Sequence, residues 1–316
     1  MALIPILNGR KPGVNVMLPV RIFLQIVLPV FILLSVGFAL DRAFPLDIQT
    51  LTRVSFYVIT PALVFLNIVE SDLDGGQIMT IIAFVVAHDM LLMLAAFGLF
   101  SLKPFRSRRK VLSLGSVMLN AGNYGFPFML IAFGEWAVGV VAILLITQVV
   151  EIFTFGVALF AGGSGVRQLG RQLARLPVLY AVALGFVVRA LSLPLIPQIE
   201  MPLNHLANAF IGLALVTLGA QLSRSRLAGS ALAVLALAGM NLAFSPLLAA
   251  GMAAFFPLRP DVAQVLIVAT GLPMAVNVFI LAKEFDRDAE LASQMVFWTT
   301  LLSAVTLPVL LSLVRG

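Results

Sequence analysis

Apolar stretches about as long as a bilayer is thick recur from one end of this chain to the other, and they limit its fold more than any other feature. A helix crosses the hydrocarbon layer with roughly 20 residues. Ten stretches reach that length, at about 20–40, 48–69, 77–101, 111–132, 136–161, 176–193, 203–223, 228–256, 262–283 and 289–313. In hydrocarbon every backbone N–H and C=O must be satisfied by the chain itself, so such stretches form helices. Composition agrees: 61% of the 316 residues are apolar and 11% are charged, against about 25% charged in a soluble domain. No polar stretch is long enough for a second, soluble domain. The expectation is an all-α polytopic membrane protein of ten transmembrane helices.

The same composition excludes several kinds of chemistry. Cysteine is absent, which removes disulfides, thiol catalysis and thiolate-held metals. With only His88 and His205, no histidine-based metal site is expected, and no cofactor is implied. No G-x-S-x-G, H-E-x-x-H or paired-aspartate helix motif occurs, so an intramembrane enzyme is not the reading. The net charge of +6 is accounted for by loops that orient the spans rather than by nucleic-acid binding. The cluster "KPFRSRRK" (103–110) is an orientation signal with affinity for anionic membrane lipid. Residues 1–18, rich in Pro, Gly and basic residues, read as an N-terminal extension that the fold can do without, with Met17 as a tidier start.

Loop charge also assigns sidedness. The loops after odd-numbered spans carry fourteen of the 20 Lys and Arg residues. Basic loops stay cytoplasmic, so both termini are expected outside.

The halves resemble each other. "LPVFILLSVGF" (28–38) and "LPVLYAVALGF" (176–186) share Leu, Pro, Val, Gly and Phe at an offset of 148. At an offset of 150, Asn123 meets Pro273 and Pro127 meets Asn277. Two five-helix repeats are therefore expected, 19–161 and 176–316, joined by a cytoplasmic linker, 162–175. Five is odd, so the second repeat enters the membrane inverted, an arrangement that places interrupted helices at the midplane.

The fourth and ninth spans carry those interruptions. "NAGNYGFP" (120–127) puts two Asn, two Gly and a Pro inside one span. Proline removes a donor and crowds the preceding turn. The freed backbone groups must be buried or face a wet cavity. A half-helix that begins at such a break offers unpaired N–H groups and the positive end of its dipole. Two facing breaks make an anion site. Its expected residues are Asn120, Gly122, Asn123, Gly125 and Pro127 from the fourth span, and Gly271, Pro273 and Asn277 from the ninth.

The ninth-span segment, with Leu272, Pro273, Phe279, Ala282, Lys283, Glu284 and Phe285, resembles the C-terminal signature of the auxin efflux carrier family. "NAGNYGFP", with Asn120 and Pro127 seven apart, resembles the family's other signature. The resemblance extends over nearly the whole chain from Met17. It implies a secondary transporter with a scaffold domain and a transport domain in which the fourth and ninth helices cross. A small organic anion, such as a malonate- or malate-type dicarboxylate, binds at the crossing and moves by an elevator-like shift. It also implies a bacterial inner-membrane location and a homodimer through the scaffold half. One departure stands out: plant carriers have proline before the residue matching Asn120, and here that position is Leu119, which shifts the expected break toward Gly122, Gly125 and Pro127.

Two acids fall inside spans, Asp89 and Glu151. An ionised carboxylate at the bilayer centre costs about 2.5–3.5 kcal/mol on insertion scales, so each needs a partner, water or a proton. They are candidate coupling groups for a proton, with His88 beside Asp89 and Gln148 on the face of Glu151. Sodium coupling through Asn and Gln oxygens is the other form. Asn67 and Asn241 read as interhelical packing. The alternative function is a receptor or assembly protein that binds a ligand on a transporter-like body without net transport.

Overall fold

The computed structural model describes residues 17–152, 154, 176–225, 230–284 and 288–315. The expected linker at 162–175, nearly all of the 1–18 extension and Phe285 lie outside the described residues. Among the described residues the secondary structure is helical, and the one β-type pairing is an isolated bridge.

Among the described residues six helices are long and apolar enough to cross a membrane: α1 (Leu18–Ala43), α2 (Ile48–Val69), α3 (Gly75–Leu99), α8 (Pro197–Ser223), α9 (Ala231–Ala253) and α12 (Ala289–Arg315). The other segments are shorter. α4 (Arg109–Val117) and α5 (Phe126–Phe133) occupy the fourth apolar stretch. α6 is Trp136–Glu151 and α7 is Pro177–Ala190. α10 (Pro260–Ala269) and α11 (Val276–Glu284) occupy the ninth.

Proline shapes several of these helices in one way. The wide π-helical turns Phe23–Val27, Ser55–Ile59, Ala121–Gly125 and Gly239–Phe244 each end two residues before a proline: Pro29, Pro61, Pro127 and Pro246. A proline ring clashes with the carbonyl four residues back. Letting the preceding N–H reach five residues back widens the turn and moves that carbonyl aside. The bonds Leu28 N–H to Phe23 C=O and Ser245 N–H to Met240 C=O have that spacing.

Packing sorts the helices into two groups. α1 lies along α8, and α2 lies against α7 and α8. The α1–α8 crossing is so close that a Cβ at Gly37 would fall 2.0 Å from the Val216 carbonyl oxygen, and one at Gly219 would fall 2.0 Å from that of Leu34. Only glycine permits such backbone contact. At the end of this pair Arg224 donates to both oxygens of buried Asp41, at 2.7 and 3.1 Å, and Ser223 and Leu46 N–H donate to the same carboxylate. The second group places α3 against α4, α6 and α9, α10 against α6 and α12, and α11 against α12.

Candidate functional site

The two interrupted apolar stretches come apart and meet. α4 stops at Val117, and Met118 is extended (φ −78°, ψ 115°). α10 stops at Ala269, and α11 resumes at Val276. Between them Leu119 and Met274 form an isolated antiparallel bridge. Asn120 N–H donates to Pro273 C=O at 2.8 Å, and Ala275 N–H donates to Met118 C=O at 2.8 Å. Each break thus supplies the partners that the other lost, which is what burial in hydrocarbon demands.

Side chains complete the accounting. Met274 N–H donates to Thr299 Oγ1 at 3.1 Å, and Asn241 Nδ2 donates to Ser116 C=O at 3.3 Å. Gln148 spans the first break: its Oε1 accepts from Leu119 N–H at 3.1 Å while its Nε2 donates to Val117 C=O at 3.1 Å. Asn241 therefore packs between helices, as expected, whereas Asn67 bonds back to Leu63 C=O on its own helix.

The expected anion-site residues divide by environment. Asn120 is buried, and its Nδ2 meets no acceptor. Gly122 and Asn123 are half-buried, and a Cβ at Gly122 would meet nothing within 4 Å. Gly125 and Gly271 are packing positions: a Cβ would fall 2.8 Å from Leu272 Cδ1 in the first case and 2.6 Å from Leu310 Cδ2 in the second. Pro127 and Pro273 are buried. Asn277 lies on the first turn of α11 and is exposed, apart from the buried cluster.

Beside the breaks is a cavity of about 270 Å³ whose walls include Asp89, Met90, Met93, Val117, Met118 and Glu151. Asp89 Oδ2 accepts from Gln148 Nε2 at 2.8 Å, and Asp89 Oδ1 lies 2.8 Å from His88 Nδ1. His88 Nε2 lies 3.1 Å from Ser245 C=O. Ser245 donates its own proton to Thr270 C=O at 2.8 Å, so it has none for the imidazole. His88 must then carry a proton on Nε2, and one further proton is shared between Nδ1 and Asp89. The pair is neutral as a unit, whichever atom holds that proton. Glu151 differs: it is 3% exposed, neither carboxylate oxygen meets a donor in good geometry, and the group it faces at close range is the Asp89 carboxyl. Of the four groups marked in the sequence, Asp89, His88 and Gln148 satisfy one another and Glu151 is left over.

Ser245, Thr270 and Thr299 were not marked by the sequence reading. Hydroxyls are common in apolar helices and usually bond back to their own turn, so nothing in their type singles them out. The position of Ser245 directly before Pro246, in a turn that must widen, was the available signal.

Helical structure throughout the described residues, helices of membrane length and two interrupted segments bridged to each other define an integral membrane protein. Comparison with known proteins narrows this. Residues 164–311 match the family described as "Membrane transport protein". Over 298 residues the chain is 30% identical to an "Uncharacterized transporter" of Methanothermobacter thermautotrophicus, covering 90% of this chain and 96% of that one. It is 25% identical over 309 residues to a protein of Rhizobium meliloti named "Putative malonate transporter", covering 92% and 95%. A further transporter, from Methanocaldococcus jannaschii, is 22% identical over 298 residues. The chain belongs to the membrane transport protein family, that of the auxin efflux carriers.

Proposed function

We propose that this protein is a secondary active transporter of small organic anions, carboxylates above all, working by elevator-type alternating access. Its ten helical stretches form two inverted five-helix repeats in a cytoplasmic (inner) membrane, with both termini outside. α1, α2, α7 and α8 are the scaffold, and the second helix group, carrying the crossed breaks, moves against it. The observation that carries the reading is the meeting of the two breaks beside the unpaired Asn120 amide. The half-helices beginning at Ala121 and Val276 both start there, so two positive dipole ends converge on one place. A carboxylate would accept from Asn120 Nδ2 and from N–H groups near Gly122, where there is room. The relative named for malonate supports a small dicarboxylate as the first substrate to try.

Coupling falls to Glu151, with Asp89, His88 and Gln148 as its supporting groups. A buried carboxyl without donor or counter-ion needs a proton or a cation. Binding either one places compensating positive charge beside an anion site.

The test is flux. Purified full-length protein in liposomes should take up malonate or a related carboxylate, and the rate should depend on a pH or sodium gradient. Binding without flux would indicate a receptor. Absence of both, across dicarboxylates, aromatic acids and amino acids, would refute the anion reading.

A further inference from the structure

The hydrogen bonds around Asp89 form a continuous path between the two breaks. From the first break, Val117 C=O and Leu119 N–H engage Gln148, which donates to Asp89 Oδ2. From Asp89 Oδ1 the path runs to His88, whose Nε2 lies 3.1 Å from Ser245 C=O and 3.4 Å from Ser245 Oγ, and that hydroxyl donates to the C=O of Thr270, the residue that caps α10 at the second break. The four residues that contribute side chains, Gln148, Asp89, His88 and Ser245, are each at least nine-tenths buried. The two arms leave Asp89 from different oxygens and reach different helices. At the hub, the Glu151 carboxyl lies against that of Asp89, and no donor other than a proton between the two acids reaches it.

We propose that Gln148 and His88 are positioning residues that transmit occupancy of the Glu151 site to the two chain breaks, one arm each. The inference rests on the reading of Glu151 as the coupling group. When Glu151 is charged, the shared proton of the His88–Asp89 pair is drawn toward Asp89. When Glu151 is neutralised, it moves toward His88. The first arrangement weakens what Asp89 can accept from Gln148, and the second strengthens it. Break geometry on α4 and on α10 follows the same event. The titratable groups facing Glu151 are Asp89 and, behind it, His88, both on α3, while the α4 side presents Val117 and Met118. Cation binding at one point thereby aligns both halves of a crossing that neither half-helix could align alone.

The test is hydrogen–deuterium exchange of the full chain in lipid nanodiscs at one fixed alkaline pH, where Glu151 of the parent protein carries its charge. Glu151→Gln stands in for the neutralised state. It should change protection severalfold in peptides covering 117–121 and in those covering 270–275. Adding Gln148→Met should abolish the first response and leave the second. Adding His88→Leu should abolish the second and leave the first. A purely structural role would alter baseline protection without this selective loss. If Gln148→Met is not recovered folded, Gln148→Asn keeps the amide without charge and shortens its reach, and should weaken the first response while leaving the second. Any other pattern, including no response to Glu151→Gln, overturns the relay. Carboxylate flux on the parent protein is measured separately; its absence would refute the transport reading and leave the exchange result standing on its own.

Discussion

Replacing Asp89 by asparagine is expected to leave the fold nearly intact, whereas alanine at the same place is expected to damage it. The contrast follows from counting protons. Asp89 accepts from Gln148 and shares one proton with His88, each at 2.8 Å. In Asp89→Asn the amide oxygen still accepts from Gln148. The amide nitrogen donates to His88 Nδ1, and His88 Nε2–H still donates to Ser245 C=O. Every buried group keeps a partner and no charge is created, so the cost should stay within about 1 kcal/mol, the net size of one hydrogen bond. Asp89→Ala leaves His88 Nδ1 and one Gln148 amide proton without partners. At about 1–3 kcal/mol for each buried unsatisfied group, the loss is about 2–6 kcal/mol. Thermal unfolding of solubilised protein, read by the fluorescence of Trp136 and Trp298, ranks the variants. Equal destabilisation by Asn and Ala would refute the shared-proton assignment, because it would mean that Asp89 must be an anion for the site to hold.

Asn120→Ala should weaken carboxylate binding by about tenfold, near the 1.5 kcal/mol of one charge-assisted hydrogen bond, with unchanged melting, since Nδ2 has no protein partner to lose; isothermal titration with malonate checks both. Gly219→Ala should cost at least about 1–3 kcal/mol by overpacking against the Leu34 carbonyl, seen as lost monodisperse yield, while Gly122→Ala, with open space beside it, should express normally. Glu70, just beyond α2, keeps an exposed face but has its carboxyl pKa raised by partial desolvation and then by the charges of Glu135 and Glu200. A raised acid makes the fold bind protons that the unfolded chain releases, so its contribution to stability grows as pH falls through the raised value and is complete below the ordinary carboxylate range. Glu70→Gln should therefore raise the melting temperature at pH 8 and leave it unchanged at pH 4; a gain at both would refute the cause.

Much of this body was legible from residue type and spacing, and the exceptions have physical reasons. Apolar length marked the spans, and among the described residues six of the ten expected stretches are single apolar rods of crossing length. The fourth and ninth stretches are divided by their breaks. The Pro- and Gly-rich segments marked those breaks, because helix-breaking is a property of the residue itself. Which glycine makes room and which fills a contact is a property of the neighbour: Gly122 opens on space, Gly125 and Gly271 touch leucines. The adjacency of His88 and Asp89 and the one-turn spacing of Gln148 and Glu151 put two pairs on two helices. Nothing in either helix says that the pairs face each other, or that a glutamine reaches across to a third helix. Asn277 has the offset expected of a repeat partner to Pro127 and yet is exposed, since burial at each break is set by its own neighbours.

The departure at Leu119 and the placement of Gln148 are two parts of one solution. Where the plant carriers have proline, no N–H exists to be satisfied. Leu119 has one, at 4% exposure, and an unmet buried donor costs about 1–3 kcal/mol. Gln148 Oε1 accepts it, and the other end of the same amide takes up the Val117 carbonyl that the break released. The interruption lies at Met118 to Asn120, before the glycines rather than among them, because a tertiary partner and the bridge to Met274 hold it there. A proline break is fixed by covalent geometry and is insensitive to its surroundings. This one is held by an amide that also donates to Asp89, so whatever alters the acid pair alters the break. Under the proposed relay, the backbone N–H that leucine offers at this position is what ties the crossing to the charge of the acid pair.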